Sequence, residues 1–310
     1  MADAQPLIAI VGPTAVGKTA TSIRLAQRFD GEILSADSRQ LYRGMDIGTA
    51  KATAEEQAAV PHHLVDVCDP RDTLTLAEFQ ERVYATMADI TDRGKIPFLV
   101  GGTGLYVRAV VEGYGIPRVP PDEELRKALF TVAATQGPEV LHTRLEEVDP
   151  EAAESIDARN VRRVVRALEV YEKSGTPISV LQRKNPPPYR ILQLGLTRER
   201  ERLYERVDRR IDKMLEAGLI DEVEDLLDAG IPADCEAMSA LGYRETVAYL
   251  RGDIPSPEEL TAEIGRSTRR FIRTQYNWFR LSDPKIHWFD LDEIEYEEIE
   301  EFVGEWLMEG

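Results

Sequence analysis

The chain has 310 residues, 43% of them hydrophobic, and 56 acidic against 38 basic side chains give a formal charge of −18. That length allows one large or two ordinary domains with a real core. No apolar run is long enough to span a bilayer, and the charge argues against indiscriminate binding of nucleic acid, though not against a local basic surface. No basic leader precedes the first apolar run, so no signal peptide is expected. Cys68 and Cys235 lack a C-x-x-C spacing, so a reduced cytoplasmic setting with neither a disulfide framework nor a zinc site is expected.

In chain order, Leu7-Ile8-Ala9-Ile10-Val11 reads as a buried parallel strand. Gly12-Pro13-Thr14-Ala15-Val16-Gly17-Lys18-Thr19 follows it and fits the G-x-x-x-x-G-K-[ST] phosphate-loop pattern without a mismatch. The next ten residues read as an amphipathic helix with Ile23, Ala26 and Phe29 inward. Strand, glycine-rich turn and helix N-terminus together aim backbone N–H groups and a partial positive charge at one point, so a polyphosphate ligand is expected. Lys18 would reach its terminal phosphates, and the Thr19 hydroxyl would sit on Mg²⁺.

Further strands are expected over residues 32–36, 63–67 and 96–100, with a helix from 76 to 93 between the last two. Alternating strands and helices predict an α/β fold with a parallel sheet, of the P-loop NTPase-like kind, with flanking helices. Ligands in such sheets bind beyond the C-terminal strand ends, so Asp37, Ser38, Thr103 and the phosphate loop should converge on one cleft. Asp37 can be a magnesium-sphere ligand, a general base or a helix N-cap. Thr103, in Gly101-Gly102-Thr103-Gly104, can donate a hydrogen bond to a phosphate oxygen where charge builds up.

From Pro117 the texture changes to helical patterns, closed by the stiff Lys184-Asn185-Pro186-Pro187-Pro188-Tyr189. A strand is expected again at 191–196. The organisation expected is therefore a core over 1–116, a helical insertion over 117–189, and completion of the core with C-terminal helices over 190–310. Arg159, Arg162, Arg163 and Arg166 fall at i, i+3, i+4, i+7 within the insertion. Arg266, Arg269, Arg270 and Arg273 repeat that spacing in the tail, whereas Asp290 to Glu309 holds ten acids and no base. Each arginine set occupies one helix face without an acid among its members. Each is either a solvated face paired with acids from elsewhere or a surface for a polyanion held between two lobes.

The phosphate loop, with Asp37-Ser38-Arg39-Gln40-Leu41-Tyr42, Ile47-Gly48-Thr49-Ala50-Lys51, Pro61-His62-His63-Leu64, Gly101-Gly102-Thr103-Gly104-Leu105-Tyr106, Arg163-Val164-Val165-Arg166-Ala167-Leu168-Glu169, Gly242-Tyr243, Gln275 and Trp278-Phe279-Arg280, resembles the tRNA dimethylallyltransferases. No zinc finger of the kind some eukaryotic members carry is seen, so the bacterial form is expected. Arg162-Arg163 stands where many members have Gln-Arg, a departure expected to adjust an RNA contact only.

The resemblance implies that the loop holds the diphosphate of dimethylallyl diphosphate and that no phosphoryl group moves. The acceptor would be the N6 amine of the adenosine 3′ of the anticodon. Asp37 would act as base, and Lys18, Thr103 and Mg²⁺ near Thr19 would stabilise the leaving diphosphate. Asp37, Ser38, Arg39, Gln40 and Thr103 would meet the flipped adenine. Arg162, Arg163, Val164, Val165, Arg166, Arg269 and Arg273 would contact the tRNA anticodon stem-loop, so the insertion would be an all-helical tRNA-binding domain. No membrane partner is expected, and the protein is expected to be a monomer. A small-molecule kinase, a non-catalytic RNA-binding module and prenyl transfer to free adenine nucleotides are the rival readings. The first and last leave the arginine faces unused, and the second leaves Asp37 and Thr103 idle.

Overall fold

A computed structural model describes residues 4–309. These residues fall into two compact units. The larger contains the chain up to Val111 and from Pro188 onward; the smaller is Glu112–Pro187. The prolines at 117–121 suggest a later start than the one observed. Backbone hydrogen bonds from Asn185 N–H to Gly113 O (2.7 Å) and from Gly115 N–H to Arg183 O (3.2 Å) join the entering and leaving segments of the smaller unit. They pull its boundary to Glu112.

The larger unit is built on a six-stranded, all-parallel sheet: β1 Gln5–Val11, β2 Gly31–Ser35, β3 His62–His63, β4 Ile96–Gly101, β5 Tyr189–Thr197 and β6 His287–Asp290. The spatial order is β3-β2-β4-β1-β5-β6. Leu7 through Val11 are fully buried, as expected for a central strand covered by helices on both faces. β3 is shorter than the apolar run at 63–67 suggests. Leu64 and Asp66 take left-handed φ of 61° and 58°, which turns the chain out of the sheet after two residues. β6 carries little sequence signal, being four residues at an edge.

The helix after the phosphate loop is Lys18–Arg28, and it buries Thr21, Ser22, Leu25 and Ala26. Its inward face is thus rotated from the expected one: Ala26 is inside, while Ile23 and Phe29 are only partly covered. The acidic C-terminal segment forms the helix Tyr296–Met308, which turns Ile299 and Val303 inward. It holds Arg24 through Glu297 (2.6 Å), and the guanidinium of Arg24 lies 3.6 Å over the Tyr296 ring. The smaller unit is all helical, with its own core of Leu141, Leu145, Val164, Ala167 and Val170.

Candidate active site

The site grows from the end of β1. Gly12 has φ 146°, and a Cβ there would stand 2.5 Å from the carbonyl oxygen of Leu196, so only glycine lets the loop leave the sheet against β5. Gly17 precedes the helix, whose first turn carries no acid and no side-chain cap. Its N–H groups are therefore open to an anion. Lys18 Nζ bonds Gly12 O (3.0 Å) and Pro13 O (2.9 Å). Burial pushes its ammonium down to about 8, against the opposing pull of Asp37 and with help from the Arg210 charge. The Thr14 N–H is engaged by Gln275 Oε1 (2.9 Å), and Gln275 Nε2 donates to Gly102 O (3.1 Å). One buried amide thus bolts the phosphate loop to the end of β4.

The ends of β2 and β4 meet the loop. Asp37 Oδ1 accepts the Arg39 N–H (2.9 Å), closing an Asx-turn, and no helix follows it. The N-cap role considered for Asp37 therefore falls. Its second carboxylate oxygen is not held by that turn. Thr103 Oγ1 accepts from Ser38 N–H (3.1 Å) and donates at 3.5 Å to Ser38 Oγ, a long bond that a phosphate oxygen could replace. Arg39 instead grips Glu236 O (2.6 Å) and Ser239 Oγ (3.1 Å), and Gln40 is engaged by Ser35 and by the carbonyls of Thr49 and Ala50. Both build walls of the site.

Two cavities flank Asp37. One, of about 1290 Å³, holds Lys18, Thr19, Arg206 and Arg210. The other, of about 460 Å³, is lined by Ser38, Thr103, Arg270, Phe271 and Trp278. Thr14, Asp37, Thr49, Arg210 and Met214 line both and form the neck between them. The helix Arg200–Glu216 supplies Arg206, Arg209, Arg210 and Lys213 to the larger cavity. Arg206 Nε bonds Ala15 O (2.8 Å), and burial lowers the Arg210 guanidinium below its usual range, which Asp37 opposes. Thr19 and Asp37 offer hard oxygens in this cavity. The described residues contain no group of three or more His, Cys, Asp or Glu placed for a metal. A magnesium ion would therefore take most of its oxygens from ligand phosphates and water, as that ion usually does.

The structure sorts the arginine faces. In the smaller unit the helix Val161–Ser174 begins after Asn160. Arg159 therefore precedes it and pairs with Asp157 (2.7 Å). Arg162 and Arg163 are exposed in its first turn, which has no acid. Arg166 is bound to buried Glu169 (2.6 Å) and to Val119 O (2.9 Å), and Arg126 grips the same carboxylate (2.8 Å). Val164 and Val165, expected at the RNA, have their side chains in the core, 0% and 2% exposed; their place in the motif is packing. In the larger unit, on the helix Pro257–Trp278, Arg266 pairs with Glu263 (2.9 Å) and Arg269 with Asp208. Arg270 lines the smaller cavity, and Arg273 is exposed.

Fold and site together define a phosphate-loop protein that can hold an anion on one side of a carboxylate and an acceptor on the other. The family pattern described as IPP transferase matches residues 40–282, and that described as Isopentenyl transferase matches residues 5–66. The chain belongs to this family. It is similar to a tRNA dimethylallyltransferase of Thermomicrobium roseum, 48% identical over 98% of this chain and 92% of the relative. A second, from Chloroflexus aggregans, is 55% identical over 88% and 92%. Among solved structures it resembles the tRNA isopentenylpyrophosphate transferase of Bacillus halodurans, with TM-score 0.73, 44% identity and 98% and 97% coverage. It also resembles a eukaryotic dimethylallyltransferase acting on tRNA, with TM-score 0.84, 26% identity and 98% and 80% coverage.

Proposed function

We infer that this chain is a tRNA dimethylallyltransferase. It transfers the prenyl group of dimethylallyl diphosphate to the exocyclic N6 of the adenosine 3′ to the anticodon. The observation that supports this reading best is Asp37 at the neck between two cavities, one carrying the phosphate loop and the other open for a base. The diphosphate sits on the N–H groups of the loop, with Lys18, Arg206 and Arg210 around it. The flipped adenine enters the smaller cavity. An adenine amine is a poor nucleophile because its lone pair is delocalised into the ring. As N6 bonds to the allylic carbon, the carbon–oxygen bond to diphosphate breaks and Asp37 takes the N6 proton. Charge growing on the diphosphate is met by donors already in place, Lys18 and the loop N–H groups, with Thr103 donating from the other strand end. Thr19 would hold a magnesium ion here, and when bound that ion would supply further neutralisation of the leaving group.

The test is incubation with labelled dimethylallyl diphosphate and unmodified tRNA, followed by nucleoside analysis. Label is expected on N6 of one adenosine. Asp37→Ala should transfer about 10²–10⁴-fold more slowly, the range for loss of a general base, with tRNA affinity little changed. Near-normal turnover in that variant removes Asp37 from the mechanism, and γ-phosphoryl transfer from ATP to any acceptor would establish a kinase instead.

A further inference from the structure

The segments Ile47-Gly48-Thr49-Ala50-Lys51 and Gly242-Tyr243 lie against each other in the fold. One side chain outside both joins them. Glu222, on the helix Leu219–Asp228, accepts the consecutive N–H groups of Asp46 (2.9 Å), Ile47 (2.8 Å) and Gly48 (3.3 Å), and also the Tyr243 hydroxyl. The Tyr243 ring is fully buried and occupies the space of a side chain at Gly48, where a Cβ would lie 2.3 Å from it. The other end of the segment is tied by Lys51, whose buried Nζ reaches Tyr42 O (2.9 Å) and Asp66 (2.6 Å). Between these anchors Ala50 sits at φ 46°, a strained value for alanine that persists only where surroundings enforce it. Thr49 is in this clamped stretch, and it is a wall of the neck beside Asp37 and Arg210.

We propose that Glu222 is a positioning residue for the transfer reaction. By holding the Asp46–Gly48 backbone it fixes Thr49 and so sets the width of the neck where amine and allylic carbon meet. The inference rests on the function proposed above. A carboxylate is suited to this task because it is acceptor-only and can take all four donors at once. Each oxygen takes two of them, so an amide of the same shape would turn its NH₂ toward a pair of those donors and release part of the segment. A neck loosened in this way lets water reach the allylic carbon. The carbon–oxygen bond then breaks as before, but water oxygen bonds to the carbon and gives up its proton to Asp37. The products are dimethylallyl alcohol and diphosphate, with no prenyl group on tRNA.

The experiment measures prenyl transfer, diphosphate release and tRNA KM in the parent, Glu222→Gln and Tyr243→Phe, with active sites counted by tRNA binding. Misplacement of reacting groups by about an ångström costs on the order of 100-fold. Glu222→Gln is therefore expected to lose roughly 10- to 100-fold in kcat per site with tRNA KM unchanged, and to release more than one diphosphate per prenyl group transferred. Tyr243→Phe removes one of the four bonds and should move both quantities less, in the same direction. It decides the matter if Glu222→Gln fails to fold. A kcat per site equal to the parent's, or one diphosphate per transfer in the deciding variant, overturns the inference. A parent that transfers no prenyl group overturns the proposed function instead.

Discussion

Lys18 stands where burial and the nearby Arg210 charge hold its ammonium near pH 8, although Asp37 pulls the other way. A bound diphosphate adds negative charge beside it and raises that value. The advantage in pyrophosphate affinity over Lys18→Met should therefore be constant around pH 7 and be lost above about pH 8. Binding there should take up a proton, detected by calorimetry in buffers of different ionisation enthalpy. The sign for stability is opposite. Between about 8 and the ordinary 10.5 the unfolded chain keeps a proton that the folded chain has released, so this group's contribution to unfolding free energy rises with pH across that window. Lys18→Met should flatten both profiles. The phosphate loop was legible residue by residue because every position has a local reason. The partners that shape it were not: the resemblance marks Gln275 but gives it no role, nothing marks Arg206, and only tertiary folding brings them to Thr14 and Ala15.

At the scale of single elements, spacing alone does not separate the arginines that share one face. On the helix Val161–Ser174, Arg166 and Arg163 share a face in sequence, yet Arg166 neutralises Glu169, which is 0% exposed, while Arg163 points to solvent. Arg166→Ala should lower the stability of the helical unit by about 1.5–3 kcal/mol, the range for a hydrogen bond to a charged group. Arg163→Ala should shift it by less than about 0.5 kcal/mol, as for exposed sites, and instead reduce the slope of log tRNA affinity against log salt by about 0.7–0.9. Thermal melts and salt titrations of the two variants separate these outcomes. A third stripe, Arg206, Arg209, Arg210 and Lys213, has the same periodicity and lies over the phosphate loop. Unlike the other two it is interrupted in sequence by acids, Asp208 and Asp212, although a helix turns those acids to other faces.

For the whole molecule, the charge of −18 and the proposed polyanionic substrate conflict only if charge is averaged. Acids concentrate in the C-terminal helix Tyr296–Met308, and cations gather at the cavities. If local fields govern, rising salt should weaken tRNA binding; if net charge governs, salt should screen repulsion and strengthen it. Weakening is expected, with filter binding from 50 to 200 mM salt as a suitable check.

The sheet has a consequence for synthesis. β1 leaves the ribosome first and pairs with β4 on one side, but its other neighbour, β5, follows the entire helical unit. At ordinary elongation rates the apolar edge Leu7–Val11 stays bare for on the order of ten seconds. An unpaired edge of that kind templates wrong pairings. A chain stopped at Pro187 should therefore pellet on expression, while one extended through Thr197 should begin to stay in the supernatant. The helical unit is, in this sense, a delay written into the nascent chain.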